Sequence, residues 1–248
     1  MNRDKRRPLS GGRLGRIYEL VSEAPAGRLV DLGSDHATVP IEILKKKILP
    51  QVLVTDIREG PLSAARKRAA RENISEGFQA VRADGLTGIS LLREDILLIS
   101  GMGGETLAGI LERGRAELVH PSRIILSPQT REEVLRAAMQ ALELPISDEI
   151  LLLDRDEVYL ILVSDKGGPL LQMSPFDLYF GPRILEKIKG DRGLDRPGER
   201  EALDRYLAKR IRRLLKQSAH DPDSNDLLLQ WKRFEKRFPL PYNKEDQG

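Results

Sequence analysis

The sequence contains no cysteine. Disulfide bonds and thiolate metal sites both need that residue, so neither is possible here. We therefore expect a fold that is held together by its hydrophobic core, and we expect no metal site. Hydrophobic residues make up 40% of the 248 residues, which is enough for a core that needs no covalent cross-links.

Long apolar runs are missing as well. No stretch approaches the roughly 18 apolar residues of a membrane span, and the basic start of the chain is followed by no apolar signal segment. We expect a cytoplasmic protein with no membrane partner. The net charge of +3 favours a polyanionic partner only weakly, so the placement of the basic residues must decide that point.

Between residues 10 and 165 the sequence alternates between strand and helix patterns. Short apolar runs predict five strands at residues 28–32, 51–56, 78–82, 96–99 and 123–126, with helical segments between all but the third and fourth. Two more apolar segments, 148–153 and 158–163, predict a hairpin that extends the sheet. This alternation is typical of an α/β fold with a doubly wound, mostly parallel sheet.

The composition changes at residues 165–169, which contain two glycines and a proline, and the chain beyond them is strongly charged. We predict a domain boundary there, with one domain at 1–166 and a helical appendage at 167–248. Within the appendage, residues 199–217 and 225–238 carry apolar positions at helical spacing. They predict two helices that form a hairpin.

Polar residues and glycines follow four of the predicted strands. Ligands of open parallel sheets bind beyond the carboxyl ends of the strands, so we expect these residues to form one binding site. The candidate ligand-binding residues are Asp31, Gly33, Ser34, Asp35, His36, Asp56, Ile57, Asp84, Gly85, Gly101, Met102 and Gly103.

The loop after the first strand lacks the G-x-G-x-x-G fingerprint that seats a pyrophosphate on a helix N-terminus. It offers the carboxylates of Asp31 and Asp35 instead, which suit the amino and sulfonium charges of S-adenosylmethionine better than a pyrophosphate. Asp56 can accept hydrogen bonds from ribose hydroxyls, and Asp84 from an adenine amino group. A single Asp after a strand is more often a turn former, but three at successive strand ends favour S-adenosylmethionine over NAD as the cofactor.

Five short motifs together match the pattern of a known family. They are V-D-L-G-S-D-H-A at 30–37, A-D-G-L at 83–86, S-G-M-G-G at 100–104, D-E-V-Y at 156–159 and Y-F-G-P at 179–182. In order and spacing they resemble the bacterial TrmK-type tRNA (adenine-N1)-methyltransferases. The resemblance implies a class I methyltransferase with a Rossmann-like domain and a C-terminal α-helical, coiled-coil-like domain. It also implies S-adenosylmethionine as cofactor, tRNA as partner and N1 of adenosine 22 as the target.

Two positions depart from the pattern of that family. Members often carry Q-P-N after the fifth strand, where this chain has Ser127-Pro128-Gln129. The second strand more often ends in Glu, where this chain has Asp56.

The candidate catalytic residues are Asp35, His36 and Met102. Methylation of N1 requires the adenine to be unpaired or flipped out, because that lone pair is normally used in base pairing. The glycine-rich loop around Met102 could present backbone groups to the base edge while the Met102 side chain packs on its face. Asp35 or His36 could hold the amino group or take a proton. A purely structural turn at Asp35 and His36, and a gap-filling role for Met102, remain open.

Basic clusters suited to phosphate contacts lie at 5–7, at 209–216 and at 232–237. Acidic residues are interspersed, and a charged helix face is often simply solvated. Three functions therefore remain open: a tRNA adenine-N1 methyltransferase, a methyltransferase that acts on another RNA, a protein or a small molecule, and a non-catalytic RNA-binding protein with the same fold. The sequence leaves the oligomeric state and the tRNA isoacceptors open.

Overall fold

A computed structural model describes residues 11–24, 27–33, 36–190 and 198–239. The strands are β1 (Arg28–Leu32), β2 (Gln51–Asp56), β3 (Phe78–Arg82), β4 (Asp95–Met102), β5 (Arg123–Pro128), β6 (Asp148–Asp154) and β7 (Glu157–Asp165). The helices are α1 (Gly12–Ser22), α2 (Thr38–Lys45), α3 (Glu59–Arg71), α4 (Gly104–Arg113), α5 (Glu132–Ala141), α6 (Pro175–Phe180), α7 (Pro182–Gly190), α8 (Glu199–Gln217) and α9 (Pro222–Arg237).

The seven strands form one sheet in the order β3-β2-β1-β4-β5-β7-β6. The first five strands are parallel, and β7 runs antiparallel to both of its neighbours. The predicted doubly wound α/β sheet is thus confirmed, together with its hairpin, and β7 is the inner strand of that hairpin. The strand order reverses between β1 and β4, which is where a ligand crevice opens in such sheets.

The central strands are buried because helices cover both faces of the sheet. In β1, β2 and β5, every residue after the first is buried. This burial explains why these strands are continuous apolar runs rather than alternating ones. On one face, α1 contributes Ile17, Leu20 and Val21 to a cluster with residues of the central strands.

The C-terminal helices share the main hydrophobic core with the sheet. Phe180, Tyr206 and Trp231 belong to the same buried cluster as Leu126 and Leu160 of the sheet. The rings of Phe180 and Trp231 stack with their centroids 4.6 Å apart. Removing these helices would therefore expose core residues, and the division of the chain at residue 166 stays a prediction.

The helical hairpin is formed by α8 and α9, and one boundary differs from its prediction. The second helix begins at Pro222, three residues before the predicted start. Asp221 caps it, because its carboxylate accepts a hydrogen bond from the Ser224 N–H at 3.2 Å. Proline at the first helical position fits the same start. The short helices α6 and α7 connect this hairpin to the sheet.

A buried ion pair holds these layers together. Arg136 of α5 donates from Nε to Glu149 Oε1 of β6 at 2.6 Å, and both side chains are 0% exposed. Arg136 also donates to the Leu178 carbonyl at 2.8 Å and to the Tyr206 hydroxyl at 3.1 Å. The backbone N–H of Arg183 donates to the second oxygen of Glu149 at 2.9 Å. One pair therefore connects α5, β6, α6, α7 and α8.

We predict that Arg136→Met destabilises the fold by about 3–5 kcal/mol, because Glu149 would remain buried without its cation. Chemical denaturation followed by circular dichroism measures the change. The double variant Arg136→Met/Glu149→Leu should recover much of the stability, since it removes both charges together. A destabilisation by the single variant of only about 1 kcal/mol, which is typical of an exposed ion pair, would contradict this role.

Candidate cofactor site at the β1/β4 switch point

A cavity of about 500 Å³ opens at the carboxyl ends of β1, β2 and β4. Residues from α1, from the start of α2 and from the loop after β5 complete its walls. It therefore lies where the strand order reverses, as expected for a ligand site of an open parallel sheet. Its volume lies within the range of about 300–1,000 Å³ that is typical of small-molecule sites.

Six of the residues that we predicted for ligand binding line this cavity, and they are Asp31, Gly33, His36, Asp56, Gly101 and Met102. Ser34 and Asp35 lie outside the residues that the structure describes. Ile57, Asp84, Gly85 and Gly103 do not line it.

Two largely buried acidic residues line the cavity, since Asp31 is 4% exposed and Asp56 is 8% exposed. Asp56 Oδ1 accepts a hydrogen bond from the Arg58 backbone N–H at 2.8 Å, which fixes the carboxylate at the end of β2. This is the contact of a turn former. The second oxygen of Asp56 makes no hydrogen bond to the described part of the chain and can accept one from a ligand.

Gly33 has a backbone conformation that favours glycine. Its φ is +71°, a conformation that side chains rarely adopt, and a Cβ there would lie 2.1 Å from Cε of Met102. Its N–H donates to the Thr55 carbonyl of β2 at 2.7 Å. Gly33 is thereby held against β2 on one side and against the end of β4 at Met102 on the other.

Met102 lies at the end of β4, and it contacts both the cavity and the protein interior. Its side chain is partly buried and packs against the main hydrophobic cluster. Gly101 before it has φ +82°, which lets the strand turn outward at the cavity. Met102 can therefore fill a gap beside the core and contact a ligand at the same time, because it borders both the hydrophobic cluster and the cavity.

The four predicted residues that do not line the cavity are either exposed to solvent or packed against neighbouring elements. The Asp84 carboxylate is 60% exposed and lies 3.6 Å from Arg113 of α4. A Cβ on Gly85 would lie 3.1 Å from Ile110, so glycine there permits close packing of α4. Ile57 is 54% exposed, and a Cβ on Gly103 would lie 3.1 Å from Thr130 Oγ1. A role of these residues toward a cofactor stays a prediction.

Arg13 is a cavity residue that sequence reasoning missed. Its guanidinium Nη1 is buried and makes no hydrogen bond within the described residues. Its guanidinium carbon lies 5.1 Å from the ring centroid of Tyr159, and its backbone N–H donates to Asp154 Oδ2 at 3.0 Å. The contact to Asp154 spans 141 residues of sequence, so no local pattern could have placed Arg13 here.

A family model described as "Methyltransferase domain" matches residues 10–162. The chain belongs to this methyltransferase-domain family. The matched segment contains the whole β1–β6 region and most of β7, and with them the residues that line the cofactor cavity. Named relatives of the chain confirm the narrower family resemblance that its motifs indicate.

The tRNA (adenine(22)-N(1))-methyltransferase of Bacillus subtilis is 28% identical over 153 residues, which cover 61% of this chain and 64% of that protein. A Streptococcus pneumoniae structure, described as "a putative tRNA (m1A22) methyltransferase, in complex with S-adenosyl-L-methionine", is 27% identical with a TM-score of 0.74. The match covers 88% of this chain and 98% of that one. The structure of Bacillus subtilis TrmK, at 20% identity and a TM-score of 0.67, supports the fold alone and covers 89% of this chain and 94% of that one.

The cavity of this methyltransferase-domain protein fits the methyl donor that its motifs predict. Asp31 and Asp56 suit a cationic group and ribose hydroxyls, whereas Nη1 of Arg13, unpartnered within the described residues, suits a carboxylate. The methionine part of S-adenosylmethionine carries an ammonium group and a carboxylate, and its nucleoside carries the ribose. Within the described residues there is no group of three or more His, Asp or Glu that could hold a metal ion. No helix in those ranges is long and apolar enough to cross a membrane.

Proposed function

We propose that the protein transfers a methyl group from S-adenosylmethionine to N1 of an adenosine in tRNA, at position 22 as in the named relatives. One observation carries this proposal. A second cavity, which we name the side cavity, adjoins the cofactor cavity through Gln129 and is lined by Lys209 and Arg213 of α8. A site for a methyl donor and a cationic surface suited to RNA thus meet at one edge of the sheet.

The residues of the cavity are arranged to bind and orient the cofactor, which when bound supplies the methyl group on a sulfonium. Asp56 accepts from the ribose hydroxyls through its second carboxylate oxygen. Asp31 stabilises the ammonium group, and Arg13 binds the carboxylate. Gly101 and Met102 form the wall at the end of β4 that faces the acceptor base.

The transfer needs little chemical assistance from the chain. The N1 lone pair of adenine lies in the ring plane and can form the new bond to carbon without prior loss of a proton. The carbon–sulfur bond breaks with its electron pair staying on sulfur, so alignment of the three atoms supplies most of the rate. The methylated base is a cation, so the transfer itself needs no base; a proton that the product loses later can pass to water or to His36, which is exposed and lines the cavity.

RNA binding is supported by the cations of α8. Lys209, Arg212 and Lys216 form no ion pair within the described ranges, whereas Arg213 lies 3.4 Å from Glu133. On α9, basic residues lie at Lys232, Arg233, Lys236 and Arg237. The predicted basic cluster at 5–7 lies outside the described residues. Several cations along one helix suit a phosphate backbone.

Incubation with tRNA and an isotope-labelled methyl donor, followed by nucleoside analysis, tests the proposed function. We expect label in 1-methyladenosine, and fragment mapping should place it at position 22. Label on another base of the tRNA would contradict the assignment to N1 of adenosine. In a parallel incubation with cell extract, label on another RNA, on proteins or on small molecules but not on tRNA would support the second function left open by the sequence. Cofactor binding without any transfer would support a non-catalytic RNA-binding protein.

We predict that Arg13→Met weakens binding of S-adenosylhomocysteine by about 1.5–3 kcal/mol, the usual contribution of a hydrogen bond to a charged group. Binding of 5′-methylthioadenosine, which has the nucleoside but no carboxylate, should stay unchanged. Isothermal titration calorimetry measures both affinities. If the affinities for both ligands fall equally, Arg13 maintains the shape of the cavity and does not bind the carboxylate.

We predict that neutralising Lys209, Arg212 and Lys216 to Gln weakens tRNA binding and flattens its salt dependence. For every phosphate that is no longer neutralised, the slope of log K against log salt should decrease by roughly 0.7–0.9. A matched control neutralises Lys47, Lys67 and Arg71, which are exposed cations of the α2–α3 region. Equal effects of the two triple variants would show that only net charge matters, and an unchanged slope would show that α8 does not contact the RNA.

A further inference from the structure

The side cavity has a volume of about 620 Å³ and lies between the end of β5, the start of β7 and α8. Pro128, Tyr159 and Tyr206 line it together with the cations Lys209 and Arg213 and the acidic residues Glu132 and Glu157. Arg213 lies 3.4 Å from Glu133 and Glu132 lies 2.6 Å from Arg210, whereas Lys209 forms no ion pair within the described residues. Apolar and aromatic surface beside cations suits a nucleotide, since a base can pack on the former and a phosphate can pair with the latter.

Gln129 lies between this cavity and the cofactor cavity, because it lines both. Its backbone N–H donates to the Met102 carbonyl at 2.9 Å, which fixes it beside the end of β4. The neighbouring Thr130 carbonyl accepts from the Gly104 N–H at 2.7 Å, so the segment after β5 is joined to both the end of β4 and the start of α4. The side chain of Gln129 is exposed, and its amide makes no hydrogen bond to the described residues. A backbone held by two hydrogen bonds thus presents this amide at the junction of the cavities.

We propose that the side cavity holds the target adenosine and that the Gln129 amide recognises its base. This proposal rests on the proposed function. The amide carbonyl accepts from the adenine N6 amino group while the amide NH₂ donates to N7. Both contacts use the Hoogsteen edge of the base, so N1 stays free to face the cofactor cavity.

The same contacts explain selection against guanine. Guanine carries the acceptor O6 where adenine carries the N6 amino group, so the Gln129 carbonyl would face another acceptor. The two hydrogen bonds cannot then form together, and the unsatisfied oxygen adds to the cost. Gln129 is therefore assigned as the residue that determines base specificity.

The two cavities also lie close to each other between Arg13 and Tyr159. Arg13 lines the cofactor cavity, Tyr159 lines the side cavity, and the Arg13 guanidinium carbon lies 5.1 Å from the Tyr159 ring centroid. From the side cavity, the cations Lys209, Arg213 and Lys216 continue at helical spacing along one side of α8. A row of this kind extends beyond a single nucleotide, which favours a target within an RNA strand over a free small molecule.

The test uses a ligated tRNA that carries 7-deazaadenosine at the methylated position and therefore lacks the N7 acceptor. For the parent protein, we expect kcat/KM on this tRNA to fall about ten-fold relative to unmodified tRNA, within the range for one specific base contact. For Gln129→Met, we expect a lower kcat/KM on unmodified tRNA and little further decrease with 7-deazaadenosine. Gln129→Glu, which keeps the length but removes the donor, should behave in the same way.

Gln79→Met is the matched control, since Gln79 is exposed on β3 and should behave like the parent protein. Affinity for S-adenosylhomocysteine, measured by calorimetry, should be unchanged in all variants, which shows that each is folded with an intact cofactor site. A parent protein that methylates N1 but tolerates 7-deazaadenosine, or a Gln129→Met variant that keeps the parent's sensitivity, overturns this assignment alone. A parent protein that methylates no adenosine in tRNA overturns the proposed function as well.

Discussion

The pair of Arg136 and Glu149 is the interaction on which the arrangement of the molecule depends. Burial disfavours the charge on Arg136, but the carboxylate of Glu149 and the hydroxyl of Tyr206 outweigh it and raise the pKa of the guanidinium. Gly181 between α6 and α7 has φ +99°, and a Cβ there would lie 2.7 Å from Glu149 Oε2. Glycine at this position leaves room for the pair, which fixes the C-terminal helices against the sheet.

A second set of buried charges connects α8 to the start of α5, which lies beside the candidate site. Arg210 of α8 is 4% exposed, and its Nη1 donates to Glu132 at 2.6 Å and to Glu133 at 3.1 Å, both at the start of α5. Burial raises the pKa of the Glu133 carboxyl, but the charges of Arg210 and Arg213 outweigh it and hold that pKa below its ordinary value. The loop with Gln129 directly precedes this helix start. The α8 cations and the cofactor cavity are therefore held in one geometry by buried charge pairs.

Much of the fold follows from local patterns in the sequence. Continuous apolar runs predicted β1, β2, β4 and β5, because strands buried on both faces contain few polar residues. Glycines at the predicted strand ends marked two positions of positive φ, Gly33 after β1 and Gly101, which lies inside β4 where the strand register shifts. The same strand-end rule also selected Asp84, which the structure places beside Arg113 and outside the cavity. The rule identifies an edge of the sheet, but it cannot tell which side chains at that edge face the switch point.

The sequence by itself determined the fold class, the family resemblance and the glycine-rich loops, since each depends on residues that are close along the chain. Only the tertiary structure decided which residues share a cavity. Arg13 comes to β1 and β4 because α1 is held by Asp154 of the β6–β7 hairpin, and Gln129 meets α8 because the buried pair of Arg136 and Glu149 fixes the tail. Contacts of this kind depend on packing between distant segments, and neither periodicity nor motif spacing records that packing.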